Sequence, residues 1–79
     1  MTKKLNRPKP EEFNDAVQYV KEGIHSGKIA LGIAKGILYG MTETIGVIIG
    51  DIDLPSHLIT GYQGVLEEIV ELNNETNNQ

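Results

Sequence analysis

The chain has 79 residues and a mass of 8.7 kDa, with 39% apolar and 23% charged residues and neither cysteine nor tryptophan. That is one small domain, and a domain of this size buries only about 60% of the surface its unfolded chain exposes, so self-association is expected. The missing cysteines exclude a disulfide framework, a thiolate zinc site, an iron–sulfur cluster and a thiol nucleophile.

The net charge of −4 is unevenly laid out. All seven cations (Lys3, Lys4, Arg7, Lys9, Lys21, Lys28, Lys35) precede residue 36, where they accompany four carboxylates, Glu11, Glu12, Asp15 and Glu22. Residues 36–79 carry seven carboxylates, Glu43, Asp51, Asp53, Glu67, Glu68, Glu71 and Glu75, and no cation. Such a dipole can steer an acidic half onto the basic half of a second copy, or set a basic arm on an anionic partner. Read one pair at a time, the same charges are a solvated tail and helix face, worth about 0–1 kcal/mol per exposed pair.

Residues 1–10 read as a flexible basic arm, in which Pro8 and Pro10 block regular structure. The run lacks the apolar core of a secretory signal, so a cytoplasmic location is expected. A first helix is predicted over 11–24. Pro10 suits its first turn, Glu11 and Glu12 meet the positive end of its dipole, and Phe13, Ala16, Val17, Val20 and Ile24 form one apolar stripe. Gly23 and Gly27 bracket its end.

A second helix is predicted over 28–50. On a helical wheel its apolar residues, from Ile29 to Ile49, span an arc of roughly 200°, about twice what a surface helix needs. It must therefore be covered from more than one direction. The opposite arc carries Gly32, Gly36 and Gly40 at i, i+4, i+8, and beside them Lys35, Tyr39 and Glu43 at the same spacing. Residues 45–49 (IGVII) could alternatively form a buried strand, but no partner strand with a hairpin signal is present.

Asp51, Asp53 and Pro55 supply capping and first-turn chemistry for a third helix over 55–74. Leu58, Tyr62, Val65, Ile69 and Leu72 make a heptad-like seam, with Glu67, Glu68 and Glu71 outside it. Residues 75–79 read as a polar tail. The expected fold class is all-α: a single domain over 11–74 whose last two helices form an antiparallel hairpin, assembled into a homo-oligomer.

Six glycines (32, 36, 40, 46, 61 and 64) fall inside predicted helices, and at about 1 kcal/mol each relative to alanine they sum to roughly 6 kcal/mol. Three compensations lead to three functions. Close helix approach would make Gly32, Gly36, Gly40, Ile33 and Ile37 a contact line inside the fold or across an oligomer interface. A small anionic, nucleotide-like ligand against exposed backbone would use Lys35, Gly36, Tyr39, Gly40 and Glu43, with His57 and Tyr62 closing a pocket between subunits. A membrane would pair helices through the small-residue row, but Lys35 and Glu43 each cost about 2.5–3.5 kcal/mol at the bilayer centre.

Groups for catalysis are sparse. His25 at a helix end and His57 in a first turn are the only histidines, and Asp51-Ile52-Asp53 lacks the further ligands of a calcium loop. The string from Gly23 to Ile29 has one residue too few between its glycines for a phosphate loop, and Ile29 where Ser or Thr is needed. No cofactor, metal site or catalytic residue is expected. The arm (Lys3, Lys4, Arg7, Lys9) is too small a basic surface, with no aromatic interleaving, for sequence-specific nucleic-acid binding. In size, single-domain organisation and lack of catalytic groups the chain resembles small phage-type accessory proteins that act by binding. The leading expectation is a non-catalytic module that sequesters or inhibits a protein partner, with Glu67, Glu68 and Glu71 as the partner-binding residues. The small-ligand binder is its rival and a membrane-associated hairpin the third reading.

Overall fold

The structure is a computed structural model and describes residues 8–77. It is all-helical: α1 (Pro10–Ser26), α2 (Leu31–Ile49) and α3 (Ser56–Asn77) pack pairwise on one another, and among the described residues there is no strand, so residues 45–49 are helical.

Helix α1 begins at Pro10, whose missing N–H costs nothing in a first turn, and Glu11 and Glu12 face the positive end of the dipole. Phe13, Val17 and Val20 are buried, while Ala16 and Ile24 lie at the edge of the same stripe. The helix runs on to Ser26, beyond the expected residue 24, and stops at Gly27, which adopts the left-handed conformation (φ 80°) open to glycine. The chain then folds back. Ile29 donates its N–H to the Gly23 carbonyl (3.0 Å) and lays its side chain over Gly23, where a Cβ would come within 2.5 Å of Ile29 Cγ1. Residues 28–30 are spent on this turn, and α2 starts at Leu31 instead of 28.

Helix α2 is weakly specified by its own sequence. Its N-cap residue, Ala30, makes no side-chain cap bond, and neither terminal turn carries a charge that complements the dipole. It also contains Gly32, Gly36, Gly40 and Gly46, so its helicity depends on packing. That packing is one-sided: Ala34, Leu38, Ile45 and Ile48 are buried, whereas Leu31, Ile33, Ile37, Tyr39 and Val47 stand in solvent. The 200° apolar arc is thus covered over only part of its width within one chain.

The link to α3 is a tight turn in which Asp51 Oδ1 accepts the Asp53 N–H (2.9 Å) and Leu54 returns to the core. Asp51 caps this turn, and the first α3 bonds end on the Pro55 carbonyl, from Leu58 (3.0 Å) and Ile59 (3.3 Å). The α3 seam is as expected: Tyr62, Val65, Ile69 and Leu72 are buried and Leu58 is half-buried. It continues one step further to Thr76, whose hydroxyl donates to the Asn73 carbonyl (2.9 Å), so residues 75–77 belong to the helix and not to a tail. Residues 78–79 and 1–7 of the expected arm lie outside the described residues.

Helices α1 and α3 run side by side in the same direction. At one end Pro10 sits on Gly61, where a Cβ would be 3.0 Å from Pro10 Cγ, and Tyr62 donates its hydroxyl to the Pro8 carbonyl (2.6 Å). At the other, His25 Nε2 lies 3.5 Å from Glu75 Oε1. Between them the Phe13 and Tyr62 rings meet edge to face with centroids 6.0 Å apart.

Candidate interaction surfaces

Two of the surfaces outside the core carry the residues singled out by the sequence, the outward face of α2 and the acidic side of α3. The first is built by periodicity. Because Ala34, Leu38, Ile45 and Ile48 take the inner side, Gly32, Gly36, Tyr39, Glu43 and Gly46 are turned directly away from it. A Cβ added at Gly32, Gly36, Gly40 or Gly46 would meet nothing within 4 Å, so the glycine row is not a contact line inside this chain. Among the helical glycines, Gly23 beneath Ile29 and Gly61 beneath Pro10 are packed closely, whereas Gly64 is open like the α2 glycines.

On this face Tyr39 and Glu43 are joined: the Glu43 carboxylate accepts the Tyr39 phenol, and this bond, with the adjacent negative charge, raises the Tyr39 pKa above the ordinary tyrosine value. Lys35 lies on the same side one turn earlier. Thr42 and Thr44 satisfy their hydroxyls internally, donating to the Leu38 and Gly40 carbonyls (both 3.0 Å). Lys35, Gly36, Tyr39, Gly40 and Glu43 therefore do share one exposed surface. The remaining members of the expected ligand set are elsewhere. Tyr62 is 2% exposed, with its ring on Phe13 and its hydroxyl on Pro8, and His57 is exposed in the first turn of α3. His25, in the last turn of α1, lies beside Glu75 near the end of α3, whereas His57 is in the first turn of α3, so the two histidines are far apart.

The acidic residues of α3 divide between two directions. Glu67 and Glu71 point outward and rim a shallow depression with Leu66 and the exposed Val70. Glu68 turns toward α1 and shares a groove of about 110 Å³ with Val17, Gln18, Lys21, Glu71, Leu72 and Glu75. Glu68 Oε1 is buried there with no hydrogen-bond partner. Leu66 and Val70 lie off the heptad seam, and their i, i+4 spacing between glutamates is the sequence signal that marks them.

By length and composition Leu31–Ile49 would suffice to cross a membrane, a test that core helices of globular proteins also pass. No protein-family model, curated protein or solved structure matches the chain.

Proposed function

We propose that this protein is a non-catalytic binding module of the cytoplasm, which works as a homo-oligomer and sequesters or inhibits a basic protein partner on the acidic side of α3. The observation that carries this reading is the groove in which Glu68 Oε1 is buried unpartnered beside Glu71 and Glu75. A buried acceptor without a donor costs about 1–3 kcal/mol, which an arriving Lys or Arg offsets. The depression at Leu66 and Val70, rimmed by Glu67 and Glu71, supplies apolar contact next to it. A helix with Lys or Arg flanking an apolar knob has the complementary chemistry. In this reading α2 and α3 act as an antiparallel hairpin that shows its acidic side to the partner and its glycine-bearing side to other copies.

The test is titration with a lysine-rich amphipathic helical peptide. Binding that weakens with salt and is abolished by Glu67→Lys, Glu68→Lys and Glu71→Lys together, with circular dichroism unchanged, supports the reading. Because Glu68 is half-buried, Glu68→Gln is the companion variant that keeps the groove's shape. Peptide affinity indifferent to all of these changes refutes it.

A further inference from the structure

We propose that the basic segment ahead of α1, Met1 to Arg7, docks in the acidic channel between α1 and α3 of its own chain, where it competes with the protein partner. This rests on the acidic-site reading above and specifies how that site is regulated.

The channel begins at the root of the segment. Pro10 sits on Gly61, and the Tyr62 hydroxyl holds the Pro8 carbonyl at 2.6 Å, so the chain ahead of residue 8 departs from the head of the α1/α3 junction. From there a depression of about 290 Å³, lined by Pro10, Glu11, Gly64 and Glu68 among others, leads to the groove at Glu68, Glu71 and Glu75, and Glu68 belongs to both. The lining sets Glu11, Glu68, Glu71 and Glu75 against one cation, Lys21. Glu75 faces His25 at 3.5 Å, whereas Glu68 Oε1 is buried with no hydrogen-bond partner among the described residues. A buried carboxylate oxygen in that state is best answered by a charged N–H donor.

The segment has the matching chemistry and the reach. Its sequence, MTKKLNR, carries three cations and no anion. At about 1.5 Å of rise per residue, Glu68 lies about 10 Å and Glu71 about 15 Å beyond Gly61 along α3. Seven extended residues span up to about 23–25 Å, enough to reverse direction and still reach both. On that path Arg7 stays beside Glu11, Leu5 lies over the open Gly64, and Lys3 and Lys4 meet Glu68 and Glu71. Cations flanking an apolar residue are what the site asks of a partner, and this segment presents them. The tether favours it over the same segment of a second copy. A short flexible link gives a local concentration in the millimolar range, about a thousandfold above a micromolar solution of other copies.

The chain has no cysteine, so Thr2→Cys carries a single nitroxide label without touching the channel. In NMR spectra of the labelled chain the amides of Gly64, Glu68 and Glu71 should broaden, and those of Gly36 and Gly40 on the outward face of α2 should not. Spin-labelled chain mixed into isotope-labelled wild type reports only contacts between copies and should broaden the channel far less. Lys3→Gln, Lys4→Gln and Arg7→Gln together should abolish the broadening. They should also tighten binding of the lysine-rich peptide at least about threefold, the gain from removing an occupant present two-thirds of the time. Lys28→Gln removes a cation that lies off the channel and should do neither. Broadening that is absent from the channel, even over the whole surface, or confined to the mixture overturns the proposal. So does docking whose loss leaves the peptide affinity unchanged. Sharp channel amides in a chain that still captures the peptide overturn the docking and leave the acidic-site reading standing. A channel broadened by the label, in a protein whose neutralised form captures no peptide, supports the docking and overturns that reading instead.

Discussion

Replacing Gly32, Gly36 and Gly40 together by alanine separates what the protomer needs from what the assembly needs. In the single chain a methyl at each position meets nothing within 4 Å, so only helix propensity changes. Each exchange is worth about 0.8–1 kcal/mol in an exposed helix interior, roughly 2.4–3 kcal/mol for the three if they add. At about 4–8 °C per kcal/mol for a domain of this size, the protomer should melt roughly 10–24 °C higher. Across an interface where two backbones lie close, the same methyls overpack, at typically about 1–3 kcal/mol for inserted carbon in a fitted contact. The two effects have opposite signs, which makes the experiment diagnostic. Thermal unfolding by circular dichroism in dilute solution reads the first, and sedimentation velocity over a concentration series reads the second. We expect a more stable protomer that associates more weakly. A triple variant that associates as tightly as the wild type would show that the glycine row is not where copies meet.

Tyr62→Phe keeps the ring against Phe13 but removes the bond to the Pro8 carbonyl, and should lower stability by about 0.5–1.5 kcal/mol in urea unfolding. Gly23→Ala forces Ile29 off its seat and should destabilise, whereas the open Gly64→Ala should stabilise by up to about 1 kcal/mol; equal effects would refute the packing described at Gly23. Tyr39 should ionise above the ordinary tyrosine value in an NMR-monitored pH titration, and Glu43→Gln should bring it back. Because the raised value belongs to the folded form, the protonated Tyr39 favours folding below the ordinary tyrosine pKa, and that contribution fades as pH climbs through the raised one.

The parts of the fold legible in the sequence are those where a single face meets a single neighbour. The α1 stripe and the α3 seam pack on each other, and their apolar spacing records it. Residues 28–30 have helical composition but are claimed by the fold-back of Ile29 onto Gly23, a tertiary contact that periodicity does not encode. Thr76 was hidden by the polar run around it, although it continues the seam of Ile69 and Leu72. On α2 periodicity marks which residues are apolar, not what covers them, and much of the arc remains outside. Tyr62 carries the plainest lesson: its place on the α3 seam already argued for the core over a ligand pocket.

Sedimentation equilibrium of the wild-type chain at micromolar concentration tests the proposed self-association most directly. We expect masses that are multiples of 8.7 kDa and shift with dilution. A single species of 8.7 kDa that unfolds cooperatively would contradict it, because the outward face of α2 would then be stable in water with nothing upon it.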